Sequence, residues 1–498
     1  MSVHVAIIGA YGSAGVAAAD ELLERDSAVE LTLIDDGDPG GGLCILRGCM
    51  PSKDVLSAGQ HRYQARHDDR LEGVPEIDPQ AVVARKDEHI SGFAEHRREH
   101  VHDLAGRDRV EFIHDTARFV DDRVLELEGS GRHLEPDYVV IATGSVLNIP
   151  DLSGINDVEI ASSADVLETT AFPDSGIVMG FGYIGLELAP YLSEVGGVDL
   201  TVIEHDEYPL DEMEADYGET LLELYRDQFG IEVLTNTDEK RLESTAEGGV
   251  RLTVEQAGGD GSGDATADSN PVERTLEADQ LYCFTGRRPA LDGLGLEHTS
   301  LEPDEGWVSS TMQAAGDERV FVAGDANGRE PILHVAKEEG ISAAQNILSH
   351  HRGEDCEPYT NIPHHVIFSG LGVYPFARIG HTPATVAETD MDAIIVSREA
   401  SSDGVFKTKN HPEGRATLIV NAETGDVLGY QGLHLHADVM AKTMQVAVEM
   451  GLDVRDLPKR AYHPTTPEIL DGLWRDACAK LEDRDACVED GDSRDLAL

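Results

Sequence analysis

Basic residues are scarce in this 498-residue chain: 39 Lys and Arg stand against 95 Asp and Glu, a formal charge of −56. A nucleic acid would add phosphate charge to a surface with no basic stripe to receive it. A peripheral membrane protein would present Lys and Arg to anionic lipid, and too few exist for that. Long apolar runs are also missing; none approaches the roughly 18 residues of a spanning helix. Cysteines number six, too few for a secreted disulfide scaffold, and no basic leader precedes the first apolar run. These absences predict a cytoplasmic protein that engages neither membrane nor nucleic acid.

What is present narrows the reading further. Hydrophobic residues make up 40% of the chain and there are 50 Gly, so it is no acidic disordered tail. The length allows about three domains. Nine Lys against thirty Arg, beneath so many acids, predict a protein kept soluble in concentrated salt. There the Debye length falls to about 3 Å and like charges stop repelling.

The first 45 residues read strand, glycine turn, helix, strand. An apolar run reaches Ile8, then Gly9-Ala10-Tyr11-Gly12-Ser13-Ala14-Gly15 opens an alanine-rich helix, and a second strand ends on Asp35. Glycines let backbone approach a pyrophosphate, the helix N-terminus offers N–H donors, and the terminal acid accepts from ribose hydroxyls. The spacing here is G-x-x-G-x-x-G rather than G-x-G-x-x-G. An unbroken version follows at Gly180-Phe181-Gly182-Tyr183-Ile184-Gly185, with a strand ending on Glu204. Two such units imply two dinucleotides, and Glu204 would repel a 2′-phosphate, so the second should be NAD. Residues 257–274 read as a solvated hairpin loop. Beyond about residue 350 the glycine pattern stops, and strand-like segments at 416–420 and 429–435 with a helix near 437–450 suggest an α+β domain.

Cys44 and Cys49 flank Ile45-Leu46-Arg47-Gly48 and precede Met50-Pro51-Ser52-Lys53. In a regular helix residues five apart lie about 8–9 Å apart, beyond disulfide reach. Gly42, Gly48 and Pro51 argue for a distorted start to the helix where the pair can close, two buried thiols being the alternative. A disulfide just after a nucleotide unit is placed to exchange electrons with that nucleotide.

This segment resembles the redox loop G-G-T-C-x-N-x-G-C-x-P-S-K of the FAD-dependent pyridine nucleotide–disulfide oxidoreductases. Ala142-Thr143-Gly144-Ser145, Thr285-Gly286-Arg287-Arg288-Pro289, Gly324-Asp325 and His463-Pro464-Thr465-Thr466-Pro467-Glu468 are similar to further motifs of that family, in the same order. The resemblance implies an α/β fold of two Rossmann-like dinucleotide-binding domains plus a C-terminal α+β dimerisation domain. Its segments would be 1–150 (FAD), 151–279 (NAD), 280–350 (FAD and central) and 351–498 (dimerisation). It implies FAD held by Gly9, Gly12, Gly15, Asp35, Gly42, Ala117, Thr143, Gly144, Gly286 and Asp325, and NAD held by Gly180, Gly182, Gly185 and Glu204. Cys44 would be the interchange thiol and Cys49 the charge-transfer thiol. Lys53 would sit by the flavin N5, paired with Glu187. His463, oriented by Glu468, would be the acid/base and come from the partner subunit of a homodimer. No metal is expected.

The chemistry agrees, because dithiol exchange needs a thiolate attacker and a proton shuttle near neutral pH. Glu204 points within the family to NAD-linked dihydrolipoamide dehydrogenase chemistry, with a small-molecule or lipoyl-linked dithiol and a 2-oxoacid dehydrogenase complex as possible partners. The alternative is a reductase of a glutathione-like disulfide or bis-γ-glutamylcystine, which Arg47 would suit. Mercuric reductase comes third, since Cys478 and Cys487 are not an adjacent pair. Leu43, Leu46, Arg47 and Tyr462 depart from the family pattern around the thiols and the histidine. Cys478 and Cys487 read as structural or incidental, and Cys283 and Cys356 as buried thiols.

Overall fold

The computed structural model describes residues 3–210, 213–257, 271–389 and 391–494. The chain forms two units from interleaved segments: Met1–Asp54, Val83–Ile149 and Gly286–Asn361 make the first, and Val55–Val82, Pro150–Thr285 and Ile362–Leu498 the second.

The first unit is built on a six-stranded sheet. Its order is Gln313–Ala314, Asp317–Val322, Tyr138–Ile141, His4–Ile8, Glu30–Asp35, Val110–His114. All neighbours are parallel except the outermost Gln313–Ala314 pair. Parallel strands are covered on both faces, which explains the continuous apolar runs Val5 to Ile8 and Tyr138 to Ile141, all buried. Helices Ser13–Arg25 and Leu333–Arg352 pack together at one face. A Cβ on Gly340 would stand 2.3 Å from the Ala14 carbonyl oxygen, so glycine permits that approach. On the other face Ala6, Ile8 and Ile34 share a core with Phe119, Leu125 and Leu127 of a small antiparallel sheet.

The second unit repeats the theme. Its parallel sheet runs Glu232–Leu234, Asp199–Ile203, Ser175–Met179, Gln280–Cys283, Ile160–Ser162. An antiparallel sheet of Thr237–Ser244, Val250–Gln256 and Val272–Ala278 follows. Of the solvated loop expected over 257–274, residues 258–270 lie outside the described residues, and residues 272–274 belong instead to the last strand. The chain then builds a five-stranded antiparallel sheet: His364–Ile367, Phe376–Gly380, Val427–Leu433, Arg415–Asn421, Ala393–Glu399. Helix Ala437–Glu449 packs on it through Met440, Ala441, Met444 and Ala447, an i, i+1, i+4, i+7 stripe. The expected α/β class with a C-terminal α+β part is the observed one. Among the described residues no helix is long and apolar enough to cross a membrane.

Candidate active site

The two glycine turns do the same three jobs. Gly9 and Gly180 have φ of +94° and +92°, and a Cβ there would strike a carbonyl of the neighbouring strand end, Ala142 at 2.2 Å and Phe284 at 2.7 Å. Gly12 and Gly182 are the N-caps of helices Ser13–Arg25 and Tyr183–Gly196. Gly15 and Gly185 let each helix start lie on the first glycine, whose carbonyl oxygen would be 2.3 and 2.4 Å from an added Cβ. The extra residue of the first motif is therefore absorbed between its first two glycines. There the Gly9 and Ala10 N–H groups both donate to the Ile34 carbonyl at 2.9 and 3.2 Å. Tyr11, one place later, does what Phe181 does in the second turn: its N–H donates to the acid ending the next strand.

That acid is Asp35 in the first unit, accepting from the Tyr11 and Gly37 N–H groups at 2.9 Å each. In the second it is Glu204, accepting from Phe181 at 3.2 Å and Asp206 at 3.1 Å. Burial pushes both carboxyls above their ordinary pKa, partly offset by these N–H donors. Fixed backbone donors and a half-enclosed carboxylate suit a ribose diol.

Other predicted residues gather in the first unit. The enclosed Thr143 Oγ1 has no hydrogen-bond partner among the described residues, and the space above Gly144, with φ of +74°, is open. An orphaned hydroxyl beside an open glycine cradle fits a bound dinucleotide. Asp325 accepts from Ser145 Oγ at 2.6 Å, and Arg287 Nε donates to the same hydroxyl at 2.9 Å. Gly286, with φ of +85°, immediately precedes the short strand Arg287–Pro289, which pairs with Ser145–Leu147. Buried Ala117 begins strand Ala117–Asp121.

Cys44 lies in the four-residue helix Leu43–Leu46, and Cys49 is the first residue of helix Cys49–His67. The break at Arg47 and Gly48 is the expected distortion. A Cβ on Gly48 would be 3.1 Å from the Cys44 Cα, so glycine lets the two turns close. The two side chains are within hydrogen-bonding reach of each other. The Cys49 side-chain hydrogen bond and burial push the Cys44 thiol up, while the Cys49 backbone N–H and Arg97 pull it down. Lys53 Nζ donates to Ser52 Oγ at 3.3 Å.

The second unit holds the remaining candidates. Glu187 Oε1 accepts from the Phe368 N–H at 3.1 Å. His463 Nδ1 lies 3.0 and 3.2 Å from the two Glu468 oxygens, and the Thr465 N–H donates to Oε1 at 2.8 Å. These contacts hold the Glu468 carboxyl below its ordinary pKa, His463 first. The histidine side chain is 82% exposed in the single chain.

Some residues gave no sequence signal. Glu339 is 1% exposed, and its Oε2 accepts from the Gly324 N–H at 2.7 Å, which fixes the backbone next to Asp325. Burial pushes its pKa up to about 7. Arg97 and Arg98 of helix Pro79–Ala105 donate to the Tyr11 and Gly40 carbonyls at 2.9 and 3.0 Å. Neither segment carries a recognisable motif; folding alone brings them to the site. Cys356, expected buried, is half-buried because it sits in the turn after helix Leu333–Arg352. Cys283 and Cys478 are buried, and the side chain of Cys487 lies outside the described residues. Among the described residues no three His, Cys, Asp or Glu side chains are arranged to hold a metal.

Residues 3–340 match the family described as pyridine nucleotide-disulphide oxidoreductase, and residues 365–473 match its dimerisation domain. The dihydrolipoyl dehydrogenase of Haloferax volcanii is 27% identical, covering 93% of this chain and 94% of that protein. The mercuric reductase of Streptomyces lividans is also 27% identical, over 92% of each. The crystal structure of LpdA from Mycobacterium tuberculosis superposes with a TM-score of 0.79 at 22% identity, covering 95% of this chain and 99% of that one. With two nucleotide cradles and a vicinal dithiol inside the matched span, the chain belongs to the pyridine nucleotide–disulphide oxidoreductases and is a flavoprotein enzyme working with FAD and NAD(H).

Proposed function

We propose that this enzyme is an NAD-linked dihydrolipoamide dehydrogenase. The observation that carries the reading is the pairing of two features: a Cys44–Cys49 dithiol in the unit with the first nucleotide cradle, and a carboxylate, Glu204, closing the second. A carboxylate at that point accepts from a free ribose 2′-hydroxyl and repels a 2′-phosphate, which favours NAD over NADP. Identity does not choose the substrate, since relatives with two different activities stand at the same 27%.

In the proposed exchange, one substrate thiolate attacks Cys44 Sγ of the oxidised pair, and Cys49 leaves as thiolate. The second substrate thiolate then attacks the sulfur joined to Cys44, closing the substrate disulfide and releasing the Cys44 thiolate. Two substrate thiols are oxidised, one protein disulfide is reduced, and two protons must be carried away. The partner subunit's His463 is the proposed acceptor, with Glu468 holding its Nδ1 and stabilising the imidazolium. FAD held at the 9–15 turn and Asp35 would supply the two-electron relay between the dithiol and an NAD held at the 180–185 turn and Glu204. Lys53, proposed to pair with Glu187, would keep a positive charge by the flavin. A homodimer follows from the dimerisation domain, and docking onto a 2-oxoacid dehydrogenase complex would supply the lipoyl group.

Anaerobic titration in molar salt with NADH and NADPH, followed by turnover with dihydrolipoamide, tests this. A long-wavelength thiolate–flavin band with NADH, and lipoamide turnover, are expected; NADPH preference without lipoamide turnover would refute it. A second reading, a reductase of an anionic low-molecular-weight disulfide, is favoured by one observation. Arg47, in the thiol loop, and Arg287 are close enough for each charge to oppose the other, and a pair of arginines welcomes a carboxylate-rich substrate.

A further inference from the structure

Three segments far apart in the chain meet at Ser145. Its hydroxyl donates to Asp325 Oδ2 at 2.6 Å. Arg287 grips the same residue twice: Nε donates to the hydroxyl at 2.9 Å, and a terminal guanidinium nitrogen donates to the Ser145 carbonyl at 2.5 Å. The directions follow from the groups themselves. A guanidinium can only donate and an ionised carboxylate can only accept, so the single hydroxyl proton goes to Asp325 while an oxygen lone pair faces Arg287. Both bonds involve a charged group, and each orients the other. The ribbon of strands Ser145–Leu147 and Arg287–Pro289 brings serine and arginine together. It is closed at its two ends by the Asn148 N–H on the Gly286 carbonyl at 3.1 Å and the Ala290 N–H on the Gly144 carbonyl at 2.9 Å.

We propose that Ser145 and Arg287 are positioning residues for the flavin-binding carboxylate: Arg287 orients the Ser145 hydroxyl, and that hydroxyl ties down one Asp325 oxygen so that the other is set to receive a hydroxyl of the FAD ribityl chain. The assignment rests on the placement of Asp325 against FAD that the family pattern implies, and it is independent of which dithiol or disulfide is the substrate.

Asp325 lies in the short helix Gly324–Asn327, whose first N–H is held by Glu339 at 2.7 Å. A Cβ on Gly324 would stand 3.2 Å from the side chains of Ala14 and Ala336, so helices Ser13–Arg25 and Leu333–Arg352 press closely on this turn. These contacts place the Asp325 backbone and leave its side-chain torsions open. The terminal torsion of an aspartate is broad, and a carboxylate free to turn loses the alignment that a bound hydroxyl requires. The Ser145 bond removes that freedom. Ser145 also follows directly on Thr143 and Gly144, with their orphaned hydroxyl and open space, so the cradle and the bond that steadies Asp325 share one turn. Arg287 stands at the exposed end of this chain of bonds, where solvent and salt screen its charge, so its share is the smaller. Arg288 supplies an internal comparison: it is the next residue of the same ribbon, and its guanidinium pairs with Asp292 at 2.5 Å instead.

FAD release from the holoenzyme tests this, followed in molar salt below the melting temperature by the rise in flavin fluorescence after dilution. The series is wild type, Ser145→Ala, Ser145→Thr, Arg287→Gln, Arg288→Gln, Asp325→Ala and the Ser145→Ala/Asp325→Ala double variant. A variant that purifies without FAD is titrated with FAD, and its ratio of Kd to wild type replaces the ratio of rates. Release should be about a hundredfold faster in Asp325→Ala and about tenfold faster in Ser145→Ala, and about threefold faster in Arg287→Gln. Ser145→Thr, which keeps the hydroxyl, and Arg288→Gln should stay close to the wild-type rate. The double variant should release FAD no faster than Asp325→Ala, because the serine acts through the carboxylate. Effects that multiply in the double variant overturn the assignment, since Ser145 would then act on its own by steadying the ribbon. A wild-type rate in Ser145→Ala overturns it too. A wild-type rate in Asp325→Ala removes that carboxylate from the flavin site, and the assignment with it. None of these results touches the dihydrolipoamide reading, which turnover decides separately.

Discussion

Glu339→Gln is the substitution whose effect the structure specifies most closely. The carboxyl is 1% exposed and one oxygen receives the Gly324 N–H at 2.7 Å. Burial raises its pKa from 4.5 to about 7, against the opposing pull of Asn327, the Gly324 N–H and Arg329. The shift is therefore about 7 − 4.5 = 2.5 units, worth about 3 kcal/mol at 1.36 kcal/mol per unit. Because the folded carboxyl binds its proton more tightly than the unfolded one, this stability is fully present below pH 4.5. It is lost as pH rises through about 7, when the buried group must ionise or the unit must open. Glutamine keeps the acceptor for Gly324 and cannot ionise. The stability of Glu339→Gln relative to wild type should then grow by about 3 kcal/mol between pH 4.5 and 8. In a unit of roughly two hundred residues this is about 6–12 °C in the midpoint of thermal FAD release. Flavin fluorescence in molar salt measures it, and other titrating groups cancel in the difference. Wild-type and variant curves running parallel across that window would refute the burial argument.

Further outcomes follow from the same structure. Cys49→Ser should abolish disulfide turnover while FAD binding persists, and full turnover in the variant would remove the thiol mechanism altogether. Glu468→Gln should lower kcat about ten- to a hundredfold and flatten the acid limb of the pH–rate profile, since the carboxylate that stabilises the His463 imidazolium is gone; an unchanged profile would contradict the pairing. Glu204→Gln should raise KM for NADH about tenfold and narrow the preference over NADPH, judged by steady-state kinetics with both nucleotides. FAD retention and dimerisation should fail in dilute buffer, as the −56 charge is no longer screened; equal stability by sedimentation in dilute buffer and molar salt would speak against a salt requirement.

Much of the first unit was legible because parallel strands announce themselves as apolar runs and glycine turns as fixed spacings. The lengthened motif shows the limit of spacing. G-x-x-G-x-x-G looked like a departure, yet the turn spends its extra residue on a second N–H to the Ile34 carbonyl and delivers Tyr11 to Asp35 as Phe181 is delivered to Glu204. Sequence can count residues between glycines; it cannot say where a turn stores one. Glu339, Arg97 and Arg98 were invisible for another reason. Each is tied by a bond to a backbone carbonyl or N–H of another segment, and such a partner carries no residue type for a pattern to detect. The interleaving of residues 55–82 with later segments was hidden likewise, because it rests on contacts between distant stretches.

The charge that dominates the composition bears on the thiols in a second way. A thiolate formed within a chain of −56 is opposed by the summed field of its carboxylates. Concentrated salt, with a Debye length of about 3 Å, removes the distant part of that field. What remains is local, and in the unit that carries the dithiol Arg97 holds the Tyr11 carbonyl, Arg98 holds the Gly40 carbonyl, and Arg47 and Arg287 oppose each other. Arginine suits these places because it keeps its charge when half-buried and can hold a carbonyl while presenting that charge elsewhere. Salt screens the distant carboxylates, so the immediate surroundings of the dithiol weigh more on it than the net charge does.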